Sequence, residues 1–294
     1  MKKFAIAALV AASMAASAQV SLSGKVSQWV DSTNTGGTKV TGMPLDPTSN
    51  FAITATEQLG NGLSVRGVVE TSLKGNTVDG TNNTQLGDRQ ATVGLASKSG
   101  SIDFGRNVHT QFLAVTNNDA FGTLYGSVAG DVHNLRGLRL SQGTFVTLTP
   151  VKGVNVSYDR TATGLGNEAQ SYGASASLLG ATVTFAEYKQ GAEKSTVAAV
   201  GTKLGAAQLS YTHSDDVGLH NSKGDLVGVR YALANNLVGK ASYGKTNTDV
   251  KAYSVGADYL LSKRTEVGIA YRNVDKTGTS NDIKQIGVGV THRF

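Results

Sequence analysis

The chain has 294 residues, 27 of them basic and 21 acidic, with 36 glycines, 3 prolines and no cysteine. The absence of cysteine excludes a disulfide framework and a thiolate metal centre. The formal charge of +6 is interleaved with acids, which excludes the basic stripe of a nucleic-acid-binding face.

Residues 1–18 read as a cleaved signal peptide. Lys2 and Lys3 form a positive n-region, Phe4 to Ala12 an apolar core, and Ala16-Ser17-Ala18 an A-x-A cleavage site. Cleavage leaves a mature domain of residues 19–294 in which 25 basic residues face 21 acidic ones, a charge of +4. After Ala12 no stretch reaches the roughly 20 apolar residues a membrane helix needs. An exported chain of this kind is either soluble or a closed barrel, the other structure that satisfies its backbone in lipid.

Beyond the signal peptide the sequence keeps a period of two. Val20-Leu22-Gly24-Val26 alternates with Ser21-Ser23-Lys25-Ser27. The polar, glycine-rich stretch 31–50 reads as a loop. Phe51-Ile53-Ala55 and Leu63-Val65-Gly67-Val69 are the next apolar faces, and 76–87 is a second loop. Further runs cover 88–97, 101–108, 140–149, 153–161, 170–179, 181–189, 195–203, 206–214, 224–232, 236–245, 251–260, 264–272 and 282–294. That gives about sixteen strands and no amphipathic helix. Short turns alternate with longer polar connections, the pattern of an all-β, up-and-down transmembrane barrel with an apolar outside and a polar lumen. A soluble sandwich is the competing reading, but its turn lengths need not alternate. Tyr158, Tyr172, Tyr211, Tyr231, Tyr243, Tyr253, Tyr259 and Tyr271, close to run ends, suit aromatic girdles at the membrane interfaces. Trp29 falls on the polar phase, and the pattern gives no reason for it.

The alternation stops over 107–139. Phe112, Leu113, Phe121, Leu124, Tyr125 and Val128 make this stretch too apolar for a disordered segment. The expectation is an ordered loop folded into the barrel, with Asp119 and Asp131 lining the passage.

Several motifs, taken in order, resemble the trimeric general porins of beta-proteobacteria. Glu57-Gln58-Leu59-Gly60-Asn61-Gly62-Leu63 is similar to that family's E-D-L-G-x-G-L turn, and Val69-Glu70 to its Leu-Glu. Arg89-Gln90-Ala91-Thr92-Val93-Gly94-Leu95 resembles its R-Q-A-x-V-G-L strand, and Phe104-Gly105-Arg106 its L-G-R. Arg139-Leu140-Ser141-Gln142 and Thr149-Pro150 are weaker echoes. The run from Gly287 to Phe294 resembles the terminal strand whose last phenylalanine is presented to the barrel assembly machinery. The resemblance implies a sixteen-stranded homotrimer in the outer membrane, its third external loop folded into the lumen. It also implies pore roles for Arg89, Arg106 and Arg139. Strict alternation points Arg89 and Arg106 at lipid instead, unless they lie beyond the apolar band or a bulge shifts the phase. Asn50, Thr54 and Ser64 stand where the family carries basic residues, which argues for weak anion selectivity.

By phase alone, Lys25, Arg66, Arg230, Lys240 and Arg272 face the lumen, since a cation turned to mid-bilayer lipid costs about 2–4 kcal/mol. For the trimer, Gly173, Ala174, Ala176, Gly201, Ala206 and Ala207 offer a wall that a neighbour approaches closely, with 76–87 as a latch. The function that follows is passive diffusion of small hydrophilic solutes and ions, without cofactor or metal. An adhesin or ligand receptor would need long external loops, whereas most here are short. A solute-specific channel is not separable from a general pore at this level. Hydrolase and nucleotide-binding motifs are absent, and His109, His133, His213, His220 and His292 lack metal-ligand spacing.

Overall fold

The computed structural model describes residues 18–73, 85–133, 135, 138–164, 166, 168–218, 221–276 and 282–294. Residues 1–17 of the expected signal peptide, most of the proposed 76–87 latch and His220 lie outside the described residues.

The strands are β1 (Gln19–Thr35), β2 (Thr38–Gly42), β3 (Asn50–Gly60), β4 (Leu63–Ser72), β5 (Gln90–Ser97), β6 (Gly100–Val108), β7 (Arg139–Val151), β8 (Val154–Thr161) and β9 (Ala169–Leu178). There follow β10 (Ala181–Gln190), β11 (Glu193–Leu204), β12 (Ala207–Val217), β13 (Ser222–Ala234), β14 (Leu237–Thr246), β15 (Val250–Leu260), β16 (Thr265–Lys276) and β17 (Ile283–Arg293). Neighbours in sequence pair antiparallel, and β17 closes the sheet on β1 from Lys25↔Arg293 to Thr35↔Ile283. Because β2 and β3 pair with successive halves of β1, the 17 segments fill 16 positions round a closed barrel.

The sheet is inside-out. Val93, Phe104, Phe185, Ile269 and Val288 stand exposed on the outer phase. Outward apolar surface meets lipid, and the sheet behind it closes strand to strand through the β1–β17 seam.

One expectation fails. The polar stretch 31–50 is not simply a loop: residues 31–35 continue β1, turn at Gly36-Gly37 and return as β2. Above the apolar band both faces of a strand are wetted, so the alternation that reveals a strand is missing there. Segment 43–49 leaves the ladder but for one bridge, Leu45 opposite Gln28. It bulges opposite residues 26–30 of β1 and is tied back by Trp29 N–H to the Pro44 carbonyl (3.0 Å) and Asp46 N–H to the Ser27 carbonyl (2.8 Å).

The apolar core of the molecule is formed by the long loop against the inner wall. After β6 come α1 (Thr110–Thr116) and α2 (Ala129–Val132). His109 caps α1 by accepting the Phe112 N–H through Nδ1 at 3.3 Å. α1 lies on β9, β10 and β11, and α2 on β13, β14 and β15. Val115, Phe121, Val128 and Val132 are buried there with Val197, Leu226 and Val274 of the wall. The wall is cut back to make room. A Cβ on Gly228 would stand 3.1 Å from the Ala120 Cβ, and one on Gly256 3.1 Å from the Phe121 ring. Gly173 and Gly201, expected to face a neighbouring subunit, belong to this inner surface. A Cβ on Gly173 would meet Thr110 at 2.8 Å, and one on Gly201 would meet Asn118 at 3.0 Å. Their smallness serves the loop.

Candidate functional site: an anchored loop and a bare basic wall

Three sets of contacts fix the loop. At its start, Thr110 N–H donates to Asp159 Oδ2 (2.6 Å), Gln111 N–H to Ser171 Oγ (3.0 Å) and Gln111 Nε2 to Ser195 Oγ (3.0 Å). At its turn, the Asp119 carboxylate accepts from Phe121 N–H (3.2 Å), Thr123 N–H (2.6 Å) and Ser127 Oγ (2.6 Å). At its tip, Tyr125 stacks on Trp29 with centroids 4.0 Å apart and planes 11° from parallel. The Tyr125 hydroxyl donates to Asp31 Oδ2 (3.0 Å), and its N–H donates to Asp46 Oδ2 (2.8 Å). Trp29 therefore lies on the polar phase because it is the loop's seat. A Cβ on Gly268 or Gly289 would run into its indole.

Several basic residues expected in the pore hold the loop. Arg230 NH1 donates to the Ala120 carbonyl (2.9 Å). Arg272 NH1 donates to the Ser127 carbonyl (3.0 Å) and pairs with Asp131 Oδ2 at 3.3 Å. Lys240 pairs with Asp258 at 2.8 Å and lies 4.7 Å from the Phe121 ring centroid, its side chain 7% exposed. A lysine this enclosed is out of the water path. The two loop acids are committed as well: Asp119 to its own turn and Asp131 to Arg272. Sequence reasoning treated both as free pore charges. Asp119 is claimed by backbone N–H groups of its own turn and Asp131 by a wall arginine that folding brings within reach, and nothing in the spacing displays either.

Neither helix packs on β3 to β7, and this wall carries Arg66, Arg89, Arg106 and Arg139, while Lys25 lies on β1. Arg66 faces Asp103 at 3.4 Å and stays 42% exposed. Arg89 precedes β5 and pairs with Glu70, which also accepts from Asn50 Nδ2 at 2.8 Å. The β6–β7 register slips between Gly105 and Asn107, with the extra residue on β7, while the β5–β6 ladder stays in step and keeps Arg106 opposite Ala91. Arg106 donates to the Asp88 carbonyl at 2.7 Å and to Ser141 Oγ. Arg139 opens β7 beside Arg89 and Arg106, with Glu70 and Asp88 close by. Lys25 bonds Thr48 on the 43–49 segment and so stands behind Asp46. Phe294 exchanges backbone hydrogen bonds with Gly24 across the closing seam, at 3.0 and 3.1 Å, and its ring lies over that glycine.

Burial shifts three groups of the loop, the Tyr125 phenol upward among them. Burial pushes the His133 imidazole down to about 4, with His213 adding to the effect and Asp225 opposing it. Its Nδ1 is 2.8 Å from Ser214 Oγ and its Nε2 is enclosed without a hydrogen-bond partner among the described residues. Burial raises the Asp131 carboxyl, which Arg272 and Lys276 oppose. Trp29, Asp31, Asp46 and Tyr125 were not singled out as site residues from sequence. A lone tryptophan on a lumen phase was the one visible signal.

A family model described as Gram-negative porin matches residues 5–294. No curated protein matches by sequence. Among solved structures, the fold is similar to an anion-selective porin from Comamonas acidovorans, with TM-score 0.79 and 17% identity over 95% of this chain and 100% of that one. Salmonella typhi OmpF in complex with daunomycin superposes with TM-score 0.78 and 19% identity, over 94% and 97% of the two chains. The trimer form of Vibrio cholerae OmpT gives 0.69 and 13%, over 95% and 100%. At these identities the structural likeness carries the fold, and the family match carries the membership: the chain belongs to the Gram-negative porin family.

Proposed function

We infer that this outer-membrane pore passes small hydrophilic solutes and ions by passive diffusion with a weak preference for anions, and that it works as a homotrimer. The observation that carries the sign is the charge of the bare wall. Arg66, Arg89, Arg106 and Arg139 stand there against Asp103, Glu70 and Asp88, an excess of one positive charge. Of the acids of the facing loop, Asp131 is neutralised by Arg272, and Asp119, bonded by neutral donors, keeps its charge in a recess that it shares with Arg230. In a narrow lumen with low-dielectric walls even one net charge is focused onto passing ions. The family's lost basic positions, Asn50, Thr54 and Ser64, keep the preference small. Planar-bilayer conductance under a salt gradient tests this. A reversal potential slightly toward the anion supports it, a cation-signed potential overturns the sign, and an absence of conductance overturns the pore.

The trimer reading rests on the girdle. Every outward tyrosine, from Tyr158 to Tyr271, lies on β8 to β16, while β1 and β3 to β7 present Leu22, Val26, Ile53, Val93, Leu95 and Phe104 without tyrosine or tryptophan. A wall that meets the lipid interface carries such belts. One without them fits a second and third copy of this chain. The comparison with a trimeric OmpT points the same way. Light scattering with the detergent subtracted would read three copies, and a monomer in mild detergent would contradict it. The Phe294 strand is the proposed contact for barrel assembly.

A further inference from the structure

A cavity of about 830 Å³ opens between the β1–β2 hairpin, the 43–49 bulge and the loop tip. A porin lumen is ordinarily polar, yet the lining here includes Val40, Met43, Pro44 and Leu124. Val40 and Met43 are each 62% exposed, and Val40 pairs with Thr33 on the lumen phase. Apolar side chains left open to water inside a pore form a surface suited to an apolar body, and the volume lies in the range of small-molecule sites.

The charges around it set the sign of the occupant. Asp31, Asp46, Asp131 and Arg272 line the same cavity. Arg272 and Asp131 neutralise one another at 3.3 Å. Asp31 is held by neutral donors, the Tyr125 hydroxyl and Gln285 Nε2 at 2.6 Å. Asp46 is bonded by Tyr125 N–H and Thr48, with Lys25 behind Thr48 offsetting part of its charge. Among the residues that line the recess the excess is negative, Asp31, Asp46 and Asp131 against Arg272, while Lys25 and Lys276 lie outside the lining. We propose that this recess binds an amphipathic cation, a solute with a ring-sized apolar body and a protonated amine, which lodges at the loop end of the pore and interrupts ion flow. The site rests on the pore reading but is separate from the arginine wall. It holds one class of solute at the side of a passage whose open wall favours the other sign.

Single-channel recording of the purified trimer tests it with quinine as the probe, against naproxen (a ring-bearing carboxylate) and Tris (a polar amine). Conductance before the probe is added reports the pore by itself, so a closed bilayer refutes the pore and an unblocked one refutes only the recess. Quinine added from the loop side should give resolved blocking events, and neither comparator should. Val40→Thr with Met43→Ser should shorten the residence time about tenfold, about 1.4 kcal/mol. Gly130→Lys places a cation in the recess, where the new Cβ meets only the Leu135 Cδ1 at an ordinary 3.8 Å, and should remove the block. If the double variant forms no conducting trimers, the lysine variant carries the test. The proposal is overturned by naproxen blocking as strongly as quinine, by no quinine block in open wild-type channels, or by a block that survives Gly130→Lys.

Discussion

Tyr125→Ala would test whether the loop is held where the structure holds it. The substitution removes the stack on Trp29, worth about 0.5–1.5 kcal/mol. It also removes the hydroxyl bond to the Asp31 carboxylate, worth about 1.5–3 kcal/mol. The backbone bond to Asp46 stays. The docked tip therefore weakens by about 2–4.5 kcal/mol, and its released population rises roughly 30- to 2,000-fold. The barrel ladder is untouched, so folding should survive. Trp29 is the chain's single tryptophan, which makes its fluorescence a direct reporter. At 6% exposure under Tyr125 it should emit as a buried indole in the wild type. In the variant it should shift to the red, become accessible to acrylamide and accompany flickering single-channel currents. Identical emission and quenching in the two proteins would refute the docking of the loop tip on Trp29.

Arg66→Glu replaces a half-exposed cation of the bare wall beside Asp103 and should move the reversal potential toward cations without changing trimer yield; an unmoved potential removes Arg66 from the ion path. His133 is neutral when the loop is docked and becomes basic at 6.5 once released, so protonation favours release as pH falls from 6.5 through about 4, by up to about 1.4 kcal/mol per unit. The raised Asp131 carboxyl acts in the opposite sense, since its neutral form suits the docked loop. Trp29 emission titrated from pH 7 to 4 should therefore redden in the wild type and redden less in His133→Gln. Gly228→Val forces a Cβ against Ser210 Oγ (2.8 Å) and Ala120 (3.1 Å), so the loop should shift while circular dichroism keeps the full strand signal; unaltered conductance would mean the wall glycines are not shaped for the loop.

Strand alternation made the barrel legible, because lipid outside and water inside enforce a period of two wherever the apolar band runs. The loss of that period over 107–139 located the loop for the same reason. What alternation does not reach is whatever lies beyond the band or answers a partner distant in sequence. The Asp31–Thr35 part of β1 is polar on both faces and read as a loop. The register slip beside Arg106, between β6 and β7, is a backbone event that residue types do not announce. Asp119, Arg230 and Lys240 carry charges that suggested a pore lining, yet their partners are loop carbonyls, loop N–H groups, an aromatic ring and Asp258. Trp29 was visible as an anomaly and explained only when Tyr125 was placed on it.

The central claim is that a loop anchored inside an outer-membrane barrel narrows the water path against the wall of β3 to β7. Single-channel conductance of trimeric protein lacking residues 118–131 tests it most directly. The deletion removes the Asp119 turn, the Tyr125 tip and most of α2, and leaves every strand pairing in place. With that segment gone, conductance should rise above the wild-type value, and the discrimination between anions and cations should weaken as the lumen widens. A properly trimeric deletion protein with wild-type conductance would show that this loop is not the constriction.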